Sequence, residues 1–368
     1  MVRPNGEYQR RVNLGDPIGP GIDLALGDGG NTSTHAFGTF GFYVDVKTQS
    51  SSWWTRYGVT NYYAIRACFD GFALEVRTEE DGSVRYKPGN STPKTDCHDA
   101  DQNGVTPNWP LHRLEMESPP RRIHNLDAYC LKARVNCYRN LGSDATPGCI
   151  NDRDQCQAEL DRKLAFFDKG KHTLAPPWAA SGHGRWSAGN QRLEWALVRV
   201  PESRQGSNVL PDMFTWAVRC PNGAMPTWEG CDVPLKQNPC RSVRNLKPGD
   251  VVYWRGARTG CSVGVFHKFK SMVWSGNEKN MNLEPSEEYT VISYGRGDDD
   301  NFTCYGNTGA AVWNASGEVL GLFSLSKPPN LACGQGYALI TPIEDVLADI
   351  KAFSGREITG IRKITQDV

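Results

Sequence analysis

Charge of one sign, long apolar runs and any signature of phosphate or metal binding are what this sequence lacks. Its 41 basic residues are matched by 41 acidic ones, which removes the electrostatic case for a nucleic acid or an anionic membrane as partner. No apolar run approaches the length of a membrane span. The first fifteen residues are polar and contain arginine, without the hydrophobic segment of a secretory signal, so the expected location is cytoplasmic, or secreted if a leader has been removed. The glycines at 27, 29 and 30 are not followed by a helix pattern, so they form no phosphate loop or dinucleotide fingerprint. Twelve cysteines are present, yet none has C-x-x-C spacing, and Cys97-His98 stands alone as a Cys/His neighbour pair. Neither a metal nor another cofactor is implied.

What is there is a chain of 368 residues, ample for a large core. The even cysteine count permits a disulfide framework, but a chain of this length does not need one. Reduced, mostly buried thiols and bridges both remain open. Asn31, Asn90, Asn301 and Asn314 each begin an N-x-Ser/Thr sequon, which matters only for a secreted protein. Residues 1–30, rich in proline and glycine, read as an extended lead-in. The stretch 37–46 reads as a strand bent at its glycines, and 53–66 as a strand running into a short helix or turn. Residues 80–110 read as a surface loop, and 111–120 as a strand closed by prolines. The stretch 121–175 changes period. Cys156, Leu160, Leu164 and Phe167 recur at helical spacing, with Asn151 or Asp152 as cap and Gly170 as stop, which predicts an insertion of one or two helices.

Strand patterns return at 193–200, 212–218, 246–254 and 289–293. Near the end, Thr341-Pro342-Ile343-Glu344 reads as a capping box, and Ile343, Val346, Leu347 and Ile350 form one helical face that Gly355 ends. The expected organisation is a lead-in (1–30), a first barrel with the insertion (31–205), a second barrel (206–340) and a C-terminal helix and tail (341–368). The fold class expected is all-β.

Chemistry concentrates at Tyr305-Gly306-Asn307-Thr308-Gly309-Ala310-Ala311-Val312-Trp313, a glycine-flanked hydroxyl turn entering an apolar strand, followed by a second strand pattern at 317–324. This resembles the nucleophile turn of chymotrypsin-like serine proteases, with Asn307 where that family writes Asp and Thr308 where it writes Ser. Val59-Thr60-Asn61-Tyr62-Tyr63 is similar to the base strand of the fungal trypsin-like type, with Tyr63 in the histidine slot. The stretch beginning Leu193-Glu194-Trp195-Ala196-Leu197 resembles the strand carrying the triad acid, with Glu194 in that slot. Gly256 to Gly264 resembles the Thr-Gly hairpin of the second barrel. The matches occur in the family's order and span about 37–350, which implies a chymotrypsin-like double β-barrel.

What the resemblance implies for chemistry follows from the substitutions. A phenol of pKa about 10 keeps its proton near neutral pH and cannot act as the base. A threonine hydroxyl without a base is a poor nucleophile, and its methyl group restricts χ1. The backbone amides of Gly306 and Thr308 would still form an oxyanion hole. Phe302, six residues before Thr308, stands where the family sets substrate preference, and Ser324, Leu325 and Ser326 stand on the substrate-binding strand. Together they imply an apolar, uncharged pocket. His183, eleven residues before Glu194, is a candidate substitute base. Three functions follow. The first is non-proteolytic catalysis on a small, carbonyl-bearing metabolite, such as a cyclisation, isomerisation or addition. The second is an inert binding or scaffold protein with a protein partner. The third is a weak threonine-dependent hydrolase.

Overall fold

The computed structural model describes residues 8, 11–21, 37–47, 53–69, 74–78, 84–88, 96–107, 109, 114–212, 226–228, 233–238, 241–273, 285–294, 303, 306–327 and 336–361. In the first half, β1 (Pro17–Pro20) pairs with β2 (Gly38–Thr39), and β3 (Phe42–Lys47) forms a hairpin with β4 (Trp54–Thr60). A separate hairpin joins β5 (Leu74–Thr78) to β6 (Val84–Pro88), and helix α1 covers Asp96–Asn103. Strand β7 (Met116–Glu117) is followed by α2 (Arg121–Arg139) and α3 (Pro147–Asp168), the expected helical insertion. Strands β8 (Pro177–Ala180) and β9 (Ala196–Arg199) then complete the sheet on β4.

The second half comprises β10 (Val251–Gly256), β11 (Gly260–Phe266), β12 (Ser271–Val273), β13 (Ser286–Ser293), β14 (Ala311–Trp313), β15 (Val319–Lys327) and β16 (Tyr337–Pro342). The pairing runs β10-β14-β15-β16-β13-β11 and returns to β10, so six antiparallel strands close a barrel, with β12 appended to β13. Helix α4 (Ile343–Ser354) follows, and β17 (Ile358–Thr359) crosses back to pair with β3. The chain is mostly strands, with a closed barrel in its second half and the five-stranded sheet β17-β3-β4-β9-β8 in its first, consistent with the all-β, double-barrel plan expected from its sequence.

Three apolar clusters explain why many strands carry apolar residues on both faces. Tyr43, Ala196 and Val198 point into the first half, while Val252, Trp254, Val312, Leu320 and Phe323 fill the closed barrel. Their neighbours Phe42, Val44, Leu197, Tyr253, Trp313 and Leu322 belong to a third cluster that also takes in Ile343, Val346 and Ile350 of α4. Side chains alternate across a strand, so a barrel wall that also packs on its outer face is apolar at successive positions.

Several expectations are corrected. Residues 11–21, within the stretch read as an extended lead-in, are packed into the body: Val12, Leu14 and Ile18 are buried, the Val12 amide bonds the Arg204 carbonyl, and β1 sits between β2 and β7. The region 80–110 is not simply loop, because Cys97, Ala100 and Asp101 at i, i+3 and i+4 bury one face of α1. Helix α3 is capped by Thr146, whose hydroxyl accepts from the Cys149 amide, with Pro147 in the first turn, and not by Asn151 or Asp152. Its buried residues are Cys156, Leu160, Lys163 and Phe166, while Leu164 and Phe167 are half-buried. The strand expected at 212–218 falls outside the described residues, apart from Asp212. Cys97 and Cys156 are buried free thiols, Cys130 and Cys149 are half-buried, and Cys137 is exposed. Among the described residues, no helix is long and apolar enough to cross a membrane.

Candidate functional site

The hydroxyl turn is held by hydrogen bonds that cross from one half to the other. Thr39 at the end of β2 donates its hydroxyl to the Gly306 carbonyl (2.7 Å) and accepts from the Ala257 amide (2.9 Å). Its own amide donates to the Thr308 carbonyl (2.8 Å). Thr60, closing β4, donates its hydroxyl to the Thr39 carbonyl (2.8 Å). Gly306 and Gly309 have φ of 98° and 96°, the left-handed region that disfavours a side chain. At Gly309 a Cβ would also lie 2.4 Å from Thr60 Oγ1 and 2.5 Å from the Thr39 carbonyl oxygen, so the turn closes only with glycine there. Asn307 is fully buried and donates its side-chain amide to Thr259 Oγ1 (2.9 Å), while its Oδ1 has no hydrogen-bond partner among the described residues.

The segment that carries Tyr63 packs directly on this turn. Asn61 caps a single 3-10 turn, Tyr62–Ala64, by accepting the Tyr63 amide at 2.9 Å. Tyr62 turns inward and donates its hydroxyl to Asp101 Oδ1 (2.9 Å). Tyr63 turns toward His183, with ring centroids 4.9 Å apart. Burial raises the Tyr63 phenol well above its ordinary pKa, and the Glu194 carboxylate pushes the same way. The phenol is therefore a neutral hydrogen-bond donor throughout the physiological range. Its hydroxyl makes no hydrogen bond to a described residue.

Glu194, just before β9, is 5 % exposed. Its Oε1 lies 3.6 Å from His183 Nδ1 and 3.6 Å from Arg192 Nη1. The other ring nitrogen of His183 lies 3.4 Å from Asp101 Oδ1. The imidazole thus stands between two carboxylates, flanked by Tyr63 and, edge-on, by Tyr62. Asp101 is itself held by a two-pronged pair with Arg66 (2.7 and 2.6 Å). Behind Glu194 lies Glu288, whose Oε1 accepts the Arg192 amide at 2.9 Å. Burial, with Glu194 nearby, pushes the Glu288 carboxyl up to about 7.

The structure brings Tyr63, Glu194 and the candidate substitute base His183 into one cluster, and it sets the Thr308 turn against the strand end that bears Tyr63. Ser324 is buried, with its hydroxyl unpartnered among the described residues, and Leu325 is exposed beside it after a bulge in β15. Ser326 pairs through its backbone with Ala338. Phe302 lies outside the described residues. Sequence reading missed Asp101, Arg66, Arg192 and Glu288. Only Asp101 carried a usable signal, the helical spacing of Cys97, Ala100 and Asp101 in a stretch read as loop. Among the described residues no group of three or more His, Cys, Asp or Glu side chains is arranged to hold a metal ion.

No protein-family model matches the chain, and no curated protein matches it in sequence. Among solved structures it is similar to a glutamic acid specific serine protease described as using a novel histidine triad in substrate binding. That match has 11 % identity and a TM-score of 0.34, covering 95 % of this chain and 100 % of the other. Thermobifida fusca protease A matches at 10 % identity and a TM-score of 0.35, covering 95 % and 98 %. Nocardiopsis protease matches at 8 % identity and a TM-score of 0.36, with the same coverage.

Proposed function

We propose that this chain is a trypsin-fold protein of the fungal type, with all three triad positions substituted. In this reading it has lost serine-protease chemistry and uses its cleft for non-proteolytic catalysis on a small, largely apolar, carbonyl-bearing metabolite. The carrying observation is that the slot of the missing base holds a neutral phenol beside an imidazole–carboxylate pair. Tyr63 donates a hydrogen bond to the substrate carbonyl, the amides of Gly306 and Thr308 receive the developing negative charge, and the His183–Glu194 pair moves the proton. Proteolysis lacks support because, among the described residues, no hydrogen bond joins His183 to the Thr308 hydroxyl; the ring nitrogens lie 3.4 and 3.6 Å from the Asp101 and Glu194 carboxylates. Loss of triad members costs on the order of 10⁴- to 10⁶-fold in rate. The partner is a small molecule in the cleft, with no nucleic acid, membrane, metal or other cofactor, and the location is cytoplasmic, or secreted if a leader has been removed.

A second reading, an inert binding protein, is favoured by one observation. The near-complete burial of Glu194, with Arg192 and His183 on it, is also what a purely structural ion cluster requires. Two experiments separate the readings. The purified protein is expected neither to cleave casein nor to be labelled by a fluorophosphonate, and labelling that disappears in Thr308→Ala would establish the hydrolase instead. In ligand-observed NMR, aryl aldehyde and ketone fragments are expected to bind, at least tenfold more weakly to Tyr63→Phe. Binding indifferent to that change, or none, would leave the inert protein.

A further inference from the structure

At the base of the helical insert, where it leaves and rejoins the β-sheet, three rings stack. His124, in the first turns of α2, lies face to face with Phe167 at 3.6 Å between centroids and 12° between planes. The opposite face of Phe167 carries His172 at 3.9 Å and 5°. Both imidazoles are buried, each 6 % exposed. Three segments meet here: α2, the end of α3, and the chain that leads from α3 back into the β-sheet, where Ser118 donates its amide to the His172 carbonyl. We propose that this stack is an acid-released latch, holding the α2–α3 hairpin down at neutral pH and letting it go near pH 5, when His124 and His172 take up protons.

The surroundings decide the direction. Around His124 stand Tyr8, whose hydroxyl is 2.9 Å from Nδ1, Arg121 on its own helix, Lys163 and Asp168 on α3, and His172 across the ring. Around His172 stand Glu117 on β7, with Oε1 3.4 Å from Nε2, and the guanidinium groups of Arg121 and Arg204. The carboxylates are already engaged. Glu117 accepts Arg121 at 2.9 Å, Asp127 accepts Lys163, and Glu159 pairs with Arg162 at 2.8 Å and with Lys163 at 3.6 Å. Among the described residues, Asp168 alone is left to favour a charged His124. Among the described residues His172 Nδ1 is buried without a hydrogen-bond partner, and so are Arg204 Nε and Nη1. Adding a proton to each imidazole would set two cations on the two faces of one phenyl ring, inside a ring of arginine and lysine.

Burial, then these cations, hold both histidines at about 4, against an ordinary 6.5. The released form binds protons first as pH falls, so the latch contributes fully above pH 6.5 and loses its contribution between 6.5 and 4. At pH 5 each histidine favours release by roughly 30-fold, and the two together by roughly 10²- to 10³-fold.

Hydrogen–deuterium exchange at pH 7 and pH 5, corrected for intrinsic exchange rates, tests this on the full chain. Protection across 121–172 is expected to fall by about 100-fold or more at pH 5, while that of the closed barrel at 251–266, 311–327 and 337–342 holds. Protection of the insert that is unchanged, or that falls in step with the barrel, overturns the latch. The double variant His124→Gln, His172→Gln is expected to keep its protection at pH 5. Should that variant fail to dock at pH 7, His172→Gln alone is expected to show only the roughly 30-fold loss of one histidine, and a full loss in it would also overturn the proposal.

Discussion

Glu288 carries a stability argument of its own, opposite in sign to that of the histidines. Glu288 is 3 % exposed, its Oε2 has no hydrogen-bond partner among the described residues, and it keeps its proton to about pH 7 in the folded chain, against an ordinary 4.5. The unfolded chain gives up that proton first, so the stability Glu288 contributes is full below pH 4.5 and is lost as pH rises through 7. The loss is on the order of 3 kcal/mol for a shift of this size. Glu288→Gln mimics the protonated form and is expected to flatten this fall in a urea-midpoint series from pH 4.5 to 8. Parallel curves for the two proteins would refute the assignment. Asp101 makes a different prediction. It takes two bonds from Arg66 and one from Tyr62, so Asp101→Ala removes the two-pronged carboxylate partner of a largely buried guanidinium and is expected to cost about 1.5 to 3 kcal/mol in urea unfolding. A cost below about 1 kcal/mol would mean that water replaces the carboxylate.

At the scale of elements, what was legible in the sequence was periodicity, and what was not was competition from tertiary partners. The α2–α3 insertion announced itself by helical spacing inside a β-patterned chain. Its face was misplaced by one residue because Lys163, a charged residue, is buried by pairing with Asp127, while Phe167 is taken up between two histidines. The C-terminal helix was legible in its buried face and in Gly355, which ends it at φ 64°. Its capping box does not form. Thr341 donates its hydroxyl to the Arg192 carbonyl, Glu344 accepts from Ser242, and Pro342 stands at the N-cap without a side-chain bond. Local chemistry offered a cap, and partners about 100 and 150 residues away in sequence took both groups. Helix α3 does have a side-chain cap in Thr146, and Thr146→Ala is expected to lower stability by about 1 kcal/mol in thermal unfolding. No change would place the start of the helix further along, at Asn151 or Asp152.

On the scale of the whole molecule, the candidate site sets a cluster built within the first half beside a turn from the second, and sequence order could not reveal how. Glu194 and Tyr63 were found by matching strands in order, but Asp101 reaches His183 from a helix that no motif marks. The joint itself is a small side chain in the first half. Thr39 satisfies the Gly306 carbonyl and the Ala257 amide, its backbone amide binds the Thr308 carbonyl, and its carbonyl receives Thr60. Thr39→Val keeps the shape and removes the hydroxyl, leaving a buried carbonyl and a buried amide without partners. Each such group costs about 1 to 3 kcal/mol, so the variant is expected to lose roughly 2 to 6 kcal/mol. The loss should not be uniform. The amide resonances of Ala257, Gly306 and Gly309 are expected to shift, because the hydroxyl turn is positioned from the other half of the chain, while those of β16 and α4 stay in place. A variant as stable as the parent, with the turn resonances unmoved, would show that the turn holds its shape without the first half.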